Sequence, residues 1–243
     1  MRDFKGKRYW LVGASEGLGA ALASKLAADG AELILSARSE ERLAALAADL
    51  PGTHQILPVD IGDDASVATA GAKLGDVDGV VLLAGVYWPM KAQDWDADQA
   101  TRMADINFTG FLRALGQVMP GFAARGSGHV VITGSLSGFR GLPGAIGYAA
   151  SKAGTMVLAE SMYADLKGSG IDVQLANPGF IRTRLTDKND FTMPFIMEPD
   201  AAADIMLRHM KSNRFKISFP YGFSLVFRLS QFMPDWLYYR LFA

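Results

Sequence analysis

Residues 12–19 read Val12-Gly13-Ala14-Ser15-Glu16-Gly17-Leu18-Gly19, and this glycine-rich stretch directly continues an apolar run. Glycine lets the chain turn tightly and lets a phosphate group approach the backbone. A helix that begins in this stretch would direct free N–H groups and the positive end of its dipole at an anion. The glycine spacing differs from the dinucleotide fingerprint GxGxxG. The stretch therefore predicts a strand, a turn and a helix, with the turn either binding a nucleotide phosphate or binding nothing.

The rest of the chain repeats this alternation of short apolar runs with longer segments of helical period. Most runs are apolar on both faces, which is typical of a parallel sheet covered on both sides. The predicted strands are Tyr9–Val12, Glu32–Ala37, Gln55–Val59, Gly79–Ala84, His129–Thr133, Asp172–Ala176 and Lys216–Phe219. The predicted helices are Leu18–Ala28, Glu40–Leu50, Ala65–Leu74, Ala97–Arg125, Ala149–Lys167 and Ala201–Lys211. This order predicts an α/β fold with a doubly wound, mostly parallel seven-stranded sheet of the Rossmann type and helices on both faces.

Composition limits the classes of protein to which the chain can belong. Half of its 243 residues are hydrophobic, its formal net charge is −1, and it contains no cysteine. The charge argues against a nucleic-acid partner, and the lack of cysteine excludes disulfides, thiolate metal sites and a cysteine nucleophile. We expect no metal site. No linker divides the chain, so we expect one domain over residues 1–243. The N-terminus does not resemble a signal peptide and no stretch is long enough to span a membrane, so we expect a cytoplasmic protein.

Two residues that follow predicted strands bear on nucleotide choice. In this fold the end of the second strand lies near the adenosine ribose, where an acidic residue would favour NAD. The sequence instead has Ala37 and Arg38, and a guanidinium can bind a 2′-phosphate through several donors. Arg38 therefore favours NADP(H) over NAD(H), unless it is only a solvated surface charge. Asp60, after the third strand, could accept a hydrogen bond from adenine or could cap the helix near Asp63 or Asp64.

A tyrosine and a lysine four residues apart suggest proton chemistry. On a helix, Tyr148 and Lys152 would share one face. A free phenol titrates near ~10, and a nearby ammonium, together with an oxidised nicotinamide, would stabilise the phenolate and lower the phenol's pKa. Ser135 follows a predicted strand, and strand ends of parallel sheets face the ligand crevice. The tyrosine–lysine pair also recurs by chance in many helices, so the pair alone does not define a site.

Several separate motifs together resemble the short-chain dehydrogenase/reductase family, in its compact single-domain branch. The motifs, in chain order, are Gly13-x-x-x-Gly17-x-Gly19, Asp60, Ala84-Gly85, Asn107, Ser135, Tyr148-x-x-x-Lys152 and Asn177-Pro178-Gly179 with Thr183. The resemblance covers roughly residues 7 to 220. Val12 stands where the family usually has threonine, and Leu82-Leu83 replaces the usual Asn-Asn. We expect these two departures to weaken the support of the loop and of the adenosine side.

The resemblance implies a role for each matching residue. Tyr148 would exchange the proton, Ser135 would bind the substrate oxygen, Lys152 would hold the nicotinamide ribose and bias Tyr148 towards phenolate, and Asn107 would position a proton-relay water. The implied cofactor-binding residues are Gly13, Ser15, Glu16, Gly17, Leu18, Gly19, Arg38, Asp60, Ile61, Ala84, Gly85, Tyr148, Lys152, Pro178, Gly179, Ile181 and Thr183. The implied reaction is hydride transfer between NADP(H) and a small-molecule carbonyl/alcohol pair.

Apolar residues flank the expected substrate position. Tyr87, Phe139 and Phe180 are predicted to bind substrate together with Ser135, and Trp88, Phe191, Phe195 and Met197 are further candidates. Ordinary core or surface packing is the alternative for several of them. These apolar residues favour an apolar carbonyl substrate. A second class of function remains open, namely an NADP-binding regulator or a membrane-associated protein with little turnover.

The resemblance also implies that the helices predicted at Ala97–Arg125 and Ala149–Lys167 pair in a homodimer or homotetramer. In the second helix Met156, Ala159, Tyr163 and Leu166 recur at helical spacing, although burial within one subunit explains that stripe equally well.

The hydrophobic C-terminal tail, residues 221–243, differs in character from the rest of the chain. It carries fourteen large apolar or aromatic residues, and Pro234-Asp235 predicts the start of a short final helix. The tail could cover the substrate pocket, pack on a second subunit, or lie in a membrane interface. We favour packing against protein over peripheral membrane contact.

Overall fold

In a computed structural model, which describes residues 1–242, a seven-stranded parallel sheet carries all the other elements. The strands are β1 (Arg8–Val12), β2 (Glu32–Ser36), β3 (Gln55–Ile56), β4 (Gly79–Leu82), β5 (Gly128–Thr133), β6 (Ile171–Pro178) and β7 (Lys216–Phe219). The helices are α1 (Gly17–Ala28), α2 (Glu40–Asp49), α3 (Asp64–Leu74), α4 (Ala97–Ala104), α5 (Gly110–Arg125), α6 (Ile146–Asp165), α7 (Pro199–Lys211), α8 (Tyr221–Ser230) and α9 (Asp235–Phe242). The strand order is β3-β2-β1-β4-β5-β6-β7 with every pair parallel, which confirms the predicted doubly wound sheet.

Two apolar layers hold helices on the two faces of the sheet. Side chains alternate across a strand, so in β1 Trp10 and Val12 face one layer while Tyr9 and Leu11 face the other. The first layer includes buried residues of α3, α5 and α6, and the second includes those of α1, α2 and α7. Because the strand order reverses between β1 and β4, the carboxyl ends of these strands border the crevice in which such sheets bind ligands.

The predicted third strand, Gln55–Val59, is longer than the observed β3. The regular strand ends at Ile56, two residues before Pro58, whose missing N–H costs no bond to β2 because an N–H there would point away from β2 at the edge of the sheet. The chain nevertheless stays beside β2, since Leu57 N donates to Leu35 O at 2.9 Å and Val59 N donates to Ala37 O at 3.0 Å. The pairing carries the chain on to Asp60 at the crevice.

The single helix predicted at Ala97–Arg125 is interrupted. A π-helical turn, Asp105–Thr109, separates α4 from α5. Gly110 follows the turn, and a Cβ at this residue would lie 2.9 Å from the carbonyl oxygen of Ile61, so the helix approaches the loop after β3 closely. A π-helical turn admits one extra residue into a helix and changes the direction of nearby side chains. Here it turns Asn107 inward, where that side chain is fully buried.

The C-terminal tail forms two helices rather than the one expected. α9 begins at Asp235, as Pro234-Asp235 predicts, but α8 was not predicted. Ser224 and Ser230 lie on the buried side of α8, and each hydroxyl donates to a carbonyl oxygen of the same helix. Because polar residues occupy these buried positions, the sequence lacks the apolar pattern that would have predicted α8. The predicted tail ends at Ala243, which lies outside the described residues. Within residues 1–242, no helix combines the length and the apolar character needed to cross a bilayer.

Candidate active site

A pocket of about 650 Å³ opens at the carboxyl ends of β1, β4, β5 and β6. It brings together the predicted proton-handling residues Ser135, Tyr148 and Lys152. All the residues predicted to bind cofactor also line it, namely Gly13, Ser15, Glu16, Gly17, Leu18, Gly19, Arg38, Asp60, Ile61, Ala84, Gly85, Tyr148, Lys152, Pro178, Gly179, Ile181 and Thr183. Residues far apart in the sequence thus share one cavity because parallel strands all end at the same edge.

The glycine-rich turn fits a phosphate-bearing group. Gly13 has φ +98°, and a Cβ there would clash with the backbone of Ala84, so only glycine can occupy this turn. Gly17 has φ +54°, and its Cβ would lie 2.7 Å from Cγ2 of Thr183. Glu16, the residue before α1, makes no side-chain hydrogen bond to the first turn of that helix. The free N–H groups of α1 therefore remain available to an anion in the pocket.

Backbone hydrogen bonds hold the loops in which the two departures from the family pattern lie. Gly13 N and Ala14 N both donate to Ser36 O, at 2.7 and 3.1 Å. Leu83 N and Ala84 N both donate to Val12 O, at 2.8 and 2.9 Å. The loops after β1 and β4 are therefore held without the side chains that Val12, Leu82 and Leu83 lack.

Positive charge gathers where β2 ends. Arg38 is exposed, lines the pocket, and forms no ion pair with any residue in the described part of the chain. Arg42 and Arg184 also line the pocket, and both pair with Glu16, the former at 2.9 Å. Sequence analysis missed Arg42, which lies in the first turn of α2, shortly after Arg38 in the chain. It missed Arg184 because only the fold brings that residue to Glu16.

The Asp60 carboxylate accepts a hydrogen bond from the backbone of its own loop. Its Oδ1 accepts from Gly62 N at 3.0 Å, and it lines the pocket. Asp63 caps α3 by accepting from Ala65 N at 3.0 Å, so the alternative that Asp60 caps this helix is wrong. The adenine contact of Asp60 stays a prediction.

Ser135, Tyr148 and Lys152 come from two neighbouring elements. Ser135 follows β5 and begins a short 3-10 turn, and its Oγ lies 2.9 Å from Ser137 Oγ. The helix α6 begins at Ile146, three residues before the predicted start at Ala149. Tyr148 therefore lies in its first turn, and Lys152 follows one turn later. Lys152 Nζ donates to Thr133 O at 3.0 Å and lies 5.9 Å from the centre of the Tyr148 ring. β5 and α6 thus present a hydroxyl, a phenol and an amine to the same space.

Burial shifts the pKa values of Tyr148 and Lys152 in opposite directions, because it disfavours the charged form of each group. It raises the pKa of the Tyr148 phenol to about 12, and the nearby Ser135 hydroxyl lowers that pKa in part. It lowers the pKa of the Lys152 ammonium to about 8. The phenol therefore carries its proton at neutral pH and can donate it.

Asn107 lies behind the pocket wall rather than in it. Its Oδ1 accepts from Val86 N at 2.7 Å, and its Nδ2 donates to Val86 O at 2.9 Å and to Ser151 Oγ at 3.1 Å. Its carbonyl oxygen accepts from Thr155 Oγ1 at 3.0 Å. The side chain thus ties the loop after β4 to α6, which carries Tyr148.

The predicted substrate residues divide into two groups. Tyr87, Phe180 and Phe191 line the pocket, and the Tyr87 ring packs edge-on against Tyr148 at 5.1 Å between centres. Phe139 does not line the pocket but packs on the core beneath it, which corrects its predicted role. Trp88, Phe195 and Met197 also fall outside the lining, while α8 and α9 supply Phe223, Val226, Phe227 and Phe242, which sequence analysis had not assigned to the pocket.

Comparison with known proteins agrees with this geometry. The family model described as short chain dehydrogenase matches residues 7–193, a range that contains Ser135, Tyr148 and Lys152. An uncharacterized oxidoreductase of Myxococcus xanthus is 34% identical over 235 residues, covering 94% of this chain and 93% of the relative. An uncharacterized oxidoreductase of Staphylococcus haemolyticus is 31% identical over 212 residues, covering 85% of this chain and 92% of the relative.

A solved structure gives a match of similar extent. It is described as a short-chain dehydrogenase from Sphingobium yanoikuyae in complex with NADPH. It is 28% identical, with a TM-score of 0.83, and the match covers 94% of this chain and 96% of that one. The same architecture and connectivity therefore extend over nearly the whole of both chains.

Proposed function

Because the chain belongs to the short-chain dehydrogenase/reductase family and is an NAD(P)-dependent oxidoreductase, we propose that it transfers a hydride between NADP(H) and a carbonyl/alcohol pair, with Tyr148 exchanging the proton. The observation that carries this proposal is the shared pocket of Ser135, Tyr148 and Lys152 with the glycine-rich turn. A phosphate-binding turn and a proton donor in one cavity are what such a reaction requires.

The cofactor is NADP(H) rather than NAD(H). Arg38 is free of ion pairs among the described residues, and no carboxylate occupies the end of β2 that would repel a 2′-phosphate. Arg42 adds a second guanidinium to the same part of the pocket. The NADPH complex of the 28% identical Sphingobium yanoikuyae structure supports this choice.

Each residue of the site has a separate task in reduction. NADP(H), when bound, supplies the hydride in reduction and accepts it in oxidation. Tyr148 donates its phenolic proton to the carbonyl oxygen, while Ser135 donates a hydrogen bond to that oxygen and fixes its position. The carbonyl carbon gains the hydride and the oxygen gains the proton, so an alcohol and oxidised cofactor result. In oxidation, the proton returns from the alcohol to Tyr148. Below about pH 8, Lys152 is an ammonium that stabilises the phenolate left after proton donation.

Substitution of Tyr148 by Phe tests this assignment. The change keeps the ring that packs on Tyr87 but removes the proton donor, so we expect carbonyl reduction to fall by about two to four orders of magnitude. The Kd for NADPH, measured by the fluorescence of the nucleotide, should stay within about threefold of the wild-type value. A threefold change corresponds to less than about 1 kcal/mol of binding free energy. Tyr163→Phe is the matched control, because Tyr163 is partly exposed on α6 and does not line the pocket.

Two outcomes would contradict the proposal. Near-normal turnover by Tyr148→Phe would remove Tyr148 from the proton transfer. Tight NADPH binding by a wild-type protein that reduces no member of a broad carbonyl panel would instead favour a nucleotide-binding regulator.

A further inference from the structure

A cluster of phenylalanines borders the pocket beside the proton-handling residues. Phe223 of α8 is its centre, and its ring centre lies 5.9 Å from that of Phe180 and 5.0 Å from that of Phe227. Phe191 adds a contact to Phe180 at 5.9 Å, and Phe195 adds one to Phe223 at 5.4 Å. All of these except Phe195 line the pocket. The C-terminal helices therefore complete an aromatic wall that the 187 residues matched by the family model, 7–193, contain only in part.

Charge is distributed unevenly around the same pocket. The charged lining residues belong to the nucleotide part or to the tyrosine–lysine pair, and they are Glu16, Arg38, Arg42, Asp60, Lys152 and Arg184. Among the described lining residues, those from segment 189–194, α8 and α9 are uncharged. A charged group placed against this wall would lose its hydration without gaining a counter-ion, which is costly. An apolar group placed there would leave water at no such cost.

Arg140 attaches the C-terminal helices to the loop between Ser135 and Tyr148. Its Nη1 donates to Ser230 O and to Met233 O, the latter at 2.8 Å, and its Nη2 pairs with Asp235. The guanidinium carbon lies 4.0 Å from the centre of the Tyr238 ring. Only 14% of the Arg140 side chain is exposed. A planar group with five donors can make these contacts together, and a lysine cannot.

Two further contacts join the same loop to the tail. Tyr238, which is 1% exposed, donates from its hydroxyl to Gly141 O at 2.7 Å. Gln231 Nε2 donates to Phe139 O at 3.1 Å. The α8–α9 turn is therefore held at several points, and its position is set relative to the loop that follows Ser135.

We propose that this protein is selective for uncharged carbonyl compounds with an extended apolar group, which lies against Phe180, Phe223 and Phe227, and that Arg140 is the positioning residue that holds this wall. The inference depends on the proposed function, because it names the substrate class of the same site. It assigns the C-terminal helices to substrate selection.

The first experiment needs only the wild-type protein and NADPH. It measures kcat/KM for methyl ketones of four to twelve carbons and for oxo-carboxylates of matched length. A fitted apolar pocket discriminates by about tenfold or more for each methylene that it contacts. We expect kcat/KM to rise by at least about a hundredfold along the ketone series. The oxo-carboxylates should be poorer substrates than ketones of equal length.

Variants then locate the selectivity. Phe227→Ala should lower the ratio of kcat/KM for the ten-carbon ketone to that for the four-carbon ketone by at least about tenfold. Leu229→Ala is the matched control, because Leu229 is exposed on the same helix and does not line the pocket. It should keep the wild-type ratio.

Arg140→Gln tests the positioning role. It should raise KM for the ten-carbon ketone by about tenfold or more, with a smaller effect on kcat and no effect on the NADPH Kd. Arg140→Lys should restore part of the lost selectivity, because its ammonium can still bond the tail carbonyls. A merely destabilising change would instead lower activity on every ketone alike.

The outcomes distinguish a failure of the proposed substrate selectivity from a failure of the proposed hydride transfer. A flat chain-length profile, or a preference for oxo-carboxylates, in a protein that reduces ketones would overturn the inference and leave the proposed function intact. Failure to reduce any carbonyl despite NADPH binding would overturn both. An unchanged selectivity ratio in both Phe227→Ala and Arg140→Gln would reject the α8–α9 wall as its source.

Discussion

Arg38 is the residue on which we expect the nucleotide preference of this protein to depend. It is exposed at the end of β2, is free of ion pairs in the described chain, and faces the pocket, whereas the nearby Arg42 and Arg184 are both paired with Glu16. A free guanidinium keeps its donors available to a phosphate group, while a paired one must first release its partner. Arg38 is therefore the residue whose charge should matter most for the 2′-phosphate.

Replacement of Arg38 by Asp should change nucleotide choice. It exchanges attraction for repulsion at the 2′-phosphate, so we expect the Kd for NADPH to rise by about ten- to a hundredfold, which corresponds to ~1.4–2.8 kcal/mol. The Kd for NADH should change much less, because NADH has no phosphate there. Fluorescence titration with both nucleotides measures the two constants. Arg102→Asp makes the same change of charge at an exposed residue outside the pocket lining and serves as the control. A wild-type preference for NADH would show that our interpretation of Arg38 is wrong.

At the scale of elements, the α8–α9 pair has two different faces. Its inner face supplies Phe223, Val226, Phe227 and Phe242 to the pocket. Its outer face is apolar and open, with Phe232 85% exposed and Trp236 69% exposed. The contacts of the inner face agree with the expectation that the tail packs against protein. The open outer face can meet a second subunit, and a membrane interface is the alternative that an experiment must exclude.

Truncation of the tail should damage the protein. A chain that ends at Tyr221 lacks the α8–α9 part of the aromatic wall and the partners of Arg140, so we expect loss of carbonyl reduction together with lower solubility or altered assembly. The full-length protein should remain at the bottom of a density gradient with anionic liposomes. Flotation of the intact protein, combined with a soluble and active truncated form, would reverse our preference and identify the tail as a membrane-contacting segment.

At the scale of the whole molecule, the layer of α4, α5 and α6 bears on assembly. Met156 and Ala159, half of the predicted α6 stripe, are buried in the core, which favours the explanation by burial within one subunit for those two residues. Exposed apolar side chains nevertheless remain on these helices, namely Leu112, Val157 and Tyr163. They provide the surface on which a second copy would pack.

We therefore expect a homodimer or homotetramer in solution. Light scattering at micromolar concentration should give at least twice the 26.1 kDa mass of one chain. Val157→Asp should weaken the assembly, because it places a charge in the centre of the predicted contact. A wild-type protein that is monomeric at that concentration would rule out the paired-helix interface.

Two buried histidines make stability depend on pH. Burial lowers the pKa of His129 to about 3 and the pKa of His209 to about 4, whereas an unfolded chain binds these protons near pH 6.5. The unfolded state thus holds more protons between these values. The free energy of unfolding should consequently fall as pH falls below about 6.5, by up to ~1.4 kcal/mol per pH unit for each histidine.

Urea unfolding at pH 7.5 and at pH 5.5 checks this dependence. The wild type should lose roughly 2–3 kcal/mol between the two values, mostly below pH 6.5. His129→Gln keeps a polar side chain beside Tyr9 and Gln174, which bond His129 at 2.8 and 2.9 Å. It should be less stable at pH 7.5 but should lose less stability on acidification. Equal losses for both proteins would exclude His129 as a source of the pH dependence.

The amino-acid sequence alone determined the sheet and the glycine-rich turn, and it predicted Ser135, Tyr148 and Lys152 only through the whole set of motifs taken together. The sheet, the turn and the tyrosine–lysine pair each depend on local spacing. Apolar runs indicate strands, Gly13 and Gly17 allow a turn that other residues cannot adopt, and Tyr148 and Lys152 share a helix face because they are four residues apart. Parallel strands end at one edge, so the order of the motifs along the chain was sufficient to predict that they meet.

Only the tertiary structure decided which side chains form the substrate wall. Phe139 and Phe227 look alike in the sequence, but the first packs on the core and the second lines the pocket. Arg140 meets Met233 and Asp235 across more than ninety residues of chain, and no local pattern records such a contact. The π-helical turn that contains the buried Asn107 and the close approach of Gly110 to Ile61 likewise have no local pattern in the sequence. Local spacing reflects backbone geometry, whereas these features depend on how distant elements pack, and that is set by the free energy of the whole fold.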